Sequence, residues 1–223
     1  MKLVFNIETV ADPELPVELV PSEIDRSTIA PHKGLKDPLK QAAFIEGKYQ
    51  ESLAKREEEI AGFSLRPLTS KIVAISYKQD DKEIVDLIGN VDELSILIEF
   101  KKAFDGTQRL VSFNGKEFDI IHLTIAYLRN RLSLPFSYRE SISKYDDIYH
   151  VDIYGVLSQF GIHRKGRLRD WCIRFGIEPP FGAGELVKGW YEQNDFESIR
   201  HHCHDNVEKT SELYNLLLAK GMI

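Results

Sequence analysis

Cysteine is scarce in this 223-residue sequence: only Cys172 and Cys203 are present. Two cysteines make no disulfide framework and point to a reducing compartment, so a cytoplasmic location is expected. Long apolar runs are missing too. No stretch reaches the roughly 18 apolar residues of a membrane helix, so no membrane span is expected. The start, "MKLVFNIE", becomes acidic and Pro-rich too soon for a signal peptide. Positive charge is in deficit: 29 Lys and Arg stand against 35 Asp and Glu, a formal net charge of −6. That balance disfavours a general nucleic-acid-coating protein, which is usually basic. It leaves room for a local basic patch that grips phosphates, and a cation site is itself built of acids. Internal repeats and low-complexity tracts are also lacking.

What is present is enough for one sizeable core. The chain is 43% hydrophobic and 29% charged, which suits a single domain carrying an insertion better than two full domains. "KLVFNIETV" is a short apolar run with β-branched residues. "SKIVAISYK" (Ser70–Lys78) and "KEIVDLIG" (Lys82–Gly89), split by "QDD", predict a hairpin, and "RLVSFN" (Arg109–Asn114) predicts a further buried strand. "VDELSILIEFKKAF" has helical spacing at Leu94, Leu97, Ile98 and Phe104, and Glu117–Leu132 predicts a strong helix. After Asp152 the pattern is helical in "VDIYGVLSQF", "GRLRDWCIRFGI", "GAGELVKGWYEQ" and "DFESIRHHCHDNVEKTSELYNLLLAK". A hairpin followed by strand–helix alternation predicts an α/β fold: a mixed sheet of about five strands with helices on both faces. The segment at about residues 11–68 is an insertion between the first two strands. Its first half is Pro-rich and its second half is one charged helix with Pro38 near its start. A helix over residues 36–63 either contacts a protein partner or covers a sheet face.

Three stretches carry the candidate chemistry. Asn6 and Glu8 are two apart on a strand, so both side chains share a face. "NGKEFD" puts Asn114 at a strand end and Asp119 in the first helical turn. "HHCHDNVEKT" puts His202, Asn206 and Thr210 on one helix face at i, i+4 and i+8. Zinc is a weaker reading of "HHCH", because four successive helix residues cannot converge on one ion. The run "HRKGRLRDW" brings Arg164, Lys165, Arg167 and Arg169 together, either as a phosphate-binding patch or as a solvated loop. Phe181, Trp190 and Tyr191 are candidates for stacking on an unpaired base, although packing is their commoner fate.

In the order of these motifs the chain resembles the DEDD, ribonuclease H-like 3′–5′ exonucleases. More closely, it resembles stand-alone bacterial proteins related to the proofreading exonuclease domain of family B DNA polymerases. The family's D-I-E-T corresponds to "NIET" and its N-G-x-x-F-D to "NGKEFD". H-x-D-L corresponds to "HVDI", the Cys-containing helix segment to "RLRDWCIRFGI", and Y-C-x-x-D-V-x-x-T to "HCHDNVEKT". The resemblance implies a ribonuclease H-like fold, Mg²⁺ or Mn²⁺ as cofactor, and the 3′ ends of single-stranded DNA or RNA as partners. It assigns Asn6, Glu8, Asp119, His202 and Asn206 to catalytic positions, with Glu8 and Asp119 as the surviving metal ligands. Thr9, Asn114, Arg164, Lys165 and Arg167 are the residues expected to contact nucleic acid.

The departures are as informative. Two of the four family acids are amides here, and the water-positioning Tyr is His202. An amide offers a cation one neutral carbonyl oxygen and an NH₂ that repels it. The expectation is a catalytically impaired exonuclease, a pseudoenzyme that retains binding. The alternatives are an active enzyme disabled by engineered Asp-to-Asn changes, a shifted site that uses Asp205, and a protein-interaction subunit that binds no nucleic acid.

Overall fold

The computed structural model describes residues 1–88, 92–163 and 166–223. Gly89 and Val91, ends of two expected elements, lie outside these residues, as do Arg164 and Lys165. The sheet has five strands in the order β3-β2-β1-β4-β5. They are β1 (Lys2–Ala11), β2 (Ser70–Gln79), β3 (Val85–Ile88), β4 (Arg109–Ser112) and β5 (His150–Asp152). β1 pairs antiparallel with β2, and β2 antiparallel with β3. β1–β4 and β4–β5 are parallel. The sheet is thus the mixed, five-stranded one expected.

Strand alternation sorts the core into two layers. Leu3, Phe5 and Ile7 point to a cluster with Ile96, Leu97 and Phe100 of α2 (Glu93–Lys102) and Ile120, Leu123 and Tyr127 of α3 (Asp119–Arg129). Val4 points the other way, to Val111, Val151, Cys172, Val207, Leu213 and Leu217. The last three belong to α8 (Phe196–Ala219), and Cys172 to α6 (Leu168–Arg174). Each fully buried aliphatic side chain contributes roughly 1.5–3 kcal/mol through burial. Val10, Val73 and Ala74 extend this second layer against Ile199 and Cys203 of α8 and Val187 of α7 (Val187–Glu192). The buried Glu93 ties the first layer together. It accepts Ile72 N at 2.8 Å, Arg129 Nη2 at 2.8 and 2.7 Å, and Asn130 Nδ2 at 3.0 Å.

Four boundaries differ from expectation. The second hairpin strand is only Val85–Ile88. The helix expected over Glu117–Leu132 runs Asp119–Arg129, because Arg131 turns left-handed (φ 57°) and Leu132 N closes back on Tyr127 O. "VDIYGVLSQF" splits: Val151 and Asp152 pair in β5, and α5 (Ile153–Leu157) follows. "GAGELVKGWYEQ" begins as a 3-10 turn, Gly184–Leu186, before α7. A short helix, α4 (Tyr138–Ser141), precedes β5.

Asp12 N donates to Thr69 O at 2.9 Å, so the chain leaves β1 and returns to β2 at one place. The intervening segment holds α1 (Pro38–Ala61), started by Asp37, whose side chain caps Leu39 N. None of the residues of α1 is buried, so it does not cover a sheet face. It packs on its own flanks: Arg56 Nε donates to Pro21 O, Tyr49 OH to Glu23 Oε1, and Arg26 pairs with Glu46. Among the described residues, no helix is long and apolar enough to cross a membrane.

Candidate active site

β4 accompanies β1 only from Lys2 to Val4. Asn6 and Glu8 therefore lie beyond the last parallel pairing, in the stretch of β1 whose β4 edge is open. The sheet order changes direction between β1 and β4, and such a switch point opens a crevice at strand ends. Both side chains share the Val4 face, which α8 covers.

Two amides and an imidazole converge there on one carboxylate oxygen. Glu8 Oε1 accepts Asn6 Nδ2 at 2.9 Å and Asn206 Nδ2 at 3.2 Å, and His202 Nε2 lies 3.5 Å away. His202 Nδ1 is bonded to the Phe181 carbonyl, which can only accept, so Nδ1 carries the proton. Nε2 faces the other way, 3.3 Å from Asn206 Nδ2 and toward Glu8. Asn6 Nδ2 also approaches Cys203 Sγ at 3.4 Å. Burial raises the Glu8 pKa above the ordinary carboxylate value. The charge of His202 and the two amide hydrogen bonds oppose that rise without cancelling it.

Asp119 opens α3, and its Oδ1 accepts Ile7 N at 3.0 Å, filling the ladder position that β4 has vacated. Burial holds its pKa well above the usual range. The Ile7 N–H pulls it down, while the neighbouring charges of Glu8 and Asp152 push it further up. Glu8 and Asp119 are therefore electrostatic neighbours at one end of the sheet.

The loop between β4 and α3 is shaped from beneath. Asn114 is left-handed (φ 64°), and its N–H donates to Asp152 Oδ1 at 2.8 Å. Asp152 Oδ2 takes Lys116 N at 3.1 Å, and Oδ1 also caps α5 through Tyr154 N and Gly155 N. Gly115 N donates to Ser112 Oγ at 3.1 Å, and Ser112 Oγ meets His150 Nε2 at 2.8 Å. Burial pushes the His150 pKa down to about 3, so that imidazole is neutral. In the sequence Asp152 carries no role of its own within "HVDI". Its position directly before a helix was the available signal, because Asp there caps helix N-termini.

The remaining sequence-derived residues divide. Asn114 and Arg167 line one cleft of ≈670 Å³ beside the loop. Arg164 and Lys165 lie outside the described residues. Thr9 is buried, and its hydroxyl donates to Ser64 O at 2.6 Å, which ties β1 to the turn before β2. Asp205 does not join Glu8: its Oδ2 accepts Phe181 N at 3.0 Å and its Oδ1 lies 3.6 Å from His201. Phe181 is stacked between Trp190 (5.7 Å) and His201 (4.4 Å), so these rings pack on each other. Cys203 points to Asn6 and His204 to Asp86 (2.9 Å), which scatters the "HHCH" ligands. Among the described residues, no three His, Cys, Asp or Glu side chains are placed to hold a metal ion.

The comparisons follow the same line. An uncharacterized protein of Methanocaldococcus jannaschii is 29% identical over 184 residues, 77% of this chain and 99% of that protein. The family B DNA polymerase of the hyperthermophilic archaeon Pyrobaculum calidifontis shares the fold, with a TM-score of 0.60 and 15% identity. The alignment covers 99% of this chain and 25% of the polymerase chain, so this chain spans a quarter of that protein's length. A family described as predicted 3′–5′ exonucleases related to the exonuclease domain of PolB matches residues 63–221, which include Asp119, His202 and Asn206 and begin after Asn6 and Glu8. By that match this chain belongs to the family of predicted 3′–5′ exonucleases related to the PolB exonuclease domain.

Proposed function

We propose that the chain binds the 3′ ends of single-stranded DNA or RNA in an exonuclease fold and hydrolyses them slowly or not at all. The observation that carries this reading is the aim of the two amides. Asn6 Nδ2 and Asn206 Nδ2 both donate to Glu8 Oε1, where a cation would need that oxygen free. Hard divalent ions such as Mg²⁺ and Mn²⁺ take oxygen ligands and need negative charge to offset their repulsion. Of the four positions the resemblance assigns to acids, Glu8 and Asp119 carry carboxylates, and burial raises both pKa values. The residues present do not fit a pair of divalent ions. Losing one electrostatic contact of this kind costs about 10²–10³ in rate, and two positions are changed.

The test is the double variant Asn6→Asp/Asn206→Asp, assayed beside the unaltered chain on end-labelled single strands with Mn²⁺. Digestion by the variant and salt-sensitive binding without digestion by the unaltered chain support the reading, with recovery marking a recent or engineered loss. An unaltered chain that digests at an ordinary exonuclease rate, or one that binds no strand, overturns it.

One observation favours a second role. Ile24, Ile29 and Phe44 line a groove of ≈410 Å³ between α1 and the segment before it, and no residue of α1 is fully buried. This supports a protein partner on residues 36–63.

A further inference from the structure

The cleft beside the Asn114–Glu117 loop is used by nothing described so far. At ≈670 Å³ it falls within the size range of small-molecule sites. Phe113, Tyr154 and Phe160 supply aromatic wall, and Lys144 and Arg167 supply charge at its rim. The loop that forms one side leads directly to Asp119.

Phe160 is held there against its backbone preference. Gln159 (φ 50°), Phe160 (φ 57°) and Gly161 (φ 92°) are left-handed in succession, and two of them are not glycine. Such non-glycine conformations cost on the order of 1–3 kcal/mol each and persist where surrounding contacts over-determine them. Phe160 N donates to Gly155 O at 2.6 Å, Gly161 N to Ser158 Oγ at 3.0 Å, and the Phe160 ring meets Tyr145 edge-on at 5.2 Å. The conformation places the Phe160 ring on the wall of the cleft.

The charges at the rim are free to take a new partner. Lys144 is exposed and has no carboxylate partner among the described residues, and its ammonium lies 5.7 Å from the Tyr145 ring. Arg167 pairs with Glu185 at 2.6 Å, but both side chains are more than 60% exposed, and such surface pairs exchange readily. Lys116 is committed to Asp147 at 2.8 Å and holds the wall. Asp152 and Glu117 also line the cleft, and the Asp152 oxygens are occupied by four backbone N–H groups. Aromatic wall with a cationic rim is the chemistry that binds a base and its phosphate in a single strand.

We propose that this cleft is a subsite for a nucleotide upstream of the 3′ terminus, with Phe160 stacking on the base and Lys144 contacting a phosphate. The proposal rests on the nucleic-acid-binding function above. It implies that affinity depends on strand length and that terminal mononucleotides leave the cleft empty.

The test uses the full chain, a fluorescent mononucleotide and fluorescent DNA and RNA tetranucleotides, read by anisotropy across a salt series. Phe160→Leu should weaken tetranucleotide binding about tenfold, the scale of one lost base stack, and leave mononucleotide binding unchanged. Lys144→Ala, at an exposed position that folding does not depend on, should lower the slope of log K against log salt by about 0.7, one single-strand phosphate. Tetranucleotide binding with both variants unchanged, or an equal loss for the mononucleotide, overturns the subsite and leaves the broader function standing. An unaltered chain that binds no tetranucleotide removes both.

Discussion

Asp119 sits with its pKa raised by burial while its Oδ1 serves Ile7 N as a backbone carbonyl would. Folding therefore favours its protonated form. The stability this gives is fully present below the unfolded pKa and is lost as pH rises through the higher folded one. At neutral pH the group is a net cost to the fold, as functional groups often are. Asp119→Asn keeps an oxygen for Ile7 and removes the charge. Its melting temperature should exceed that of the unaltered chain by about 2–4 °C at neutral pH, the equivalent of about 1 kcal/mol in a chain this size, and converge with it in acid. Thermal melts over a pH series check this, and a variant that melts lower at neutral pH defeats it. Glu8, Asn6, His202 and Asn206 were legible as a set because strand and helix periods are simple: i, i+2 on one and i, i+4 on the other. Which way each amide points was not legible, since that depends on partners almost 200 residues away. The bond from the Thr9 hydroxyl to Ser64 O was not legible either, because it joins the strand to a turn 55 residues on.

The element that decides the site's shape is the loop from Phe113 to Phe118. A Cβ on Gly115 would stand 2.2 Å from Ser112 Oγ and 2.6 Å from Ser112 Cβ. Contacts that short force the Ser112–His150 pair to move. Gly115→Ala should lose about 1–3 kcal/mol, as overpacked sites do. The same exchange at Gly47, inside α1 where a Cβ meets nothing within 4 Å, should gain about 0.8–1 kcal/mol from helix propensity. Urea unfolding of the two variants measures both signs, and equal effects would deny Gly115 its packing role. Strong elements such as α8 were readable from their apolar spacing. β5 was not, because three residues carry no period and exist as a strand only through pairing with β4. The helix ends moved where left-handed residues such as Arg131 intervene, a choice that packing makes and residue type does not announce.

At the scale of the whole molecule, the insertion stands apart from the two core layers except at its end, where Phe63 is buried and Ser64 O accepts the Thr9 hydroxyl. It leaves and returns through Asp12 and Thr69, and Arg56 reaches Pro21 within it. Replacing residues 22–55 with a short Gly-Ser linker should lower the melting temperature by no more than about 2–4 °C, because loop length enters stability only logarithmically. Calorimetry checks this, and a collapse of the main transition would show that α1 is part of the fold's support. The insertion's place between two strands was visible from its prolines and charge. Its isolation was not, because a charged helix with sparse apolar residues serves equally to cover a sheet or to stand off it.

The bond from Ile7 to Asp119 has one more implication. Beyond Val4 that edge of β1 is tethered by a side chain, and Glu8 is the next residue along. Any event that draws the Asp119 carboxylate away unzips the rung beneath Glu8 at the same moment. The two acids thus share one rung of β1, and an oxygen at position 119 serves the strand as well as the site.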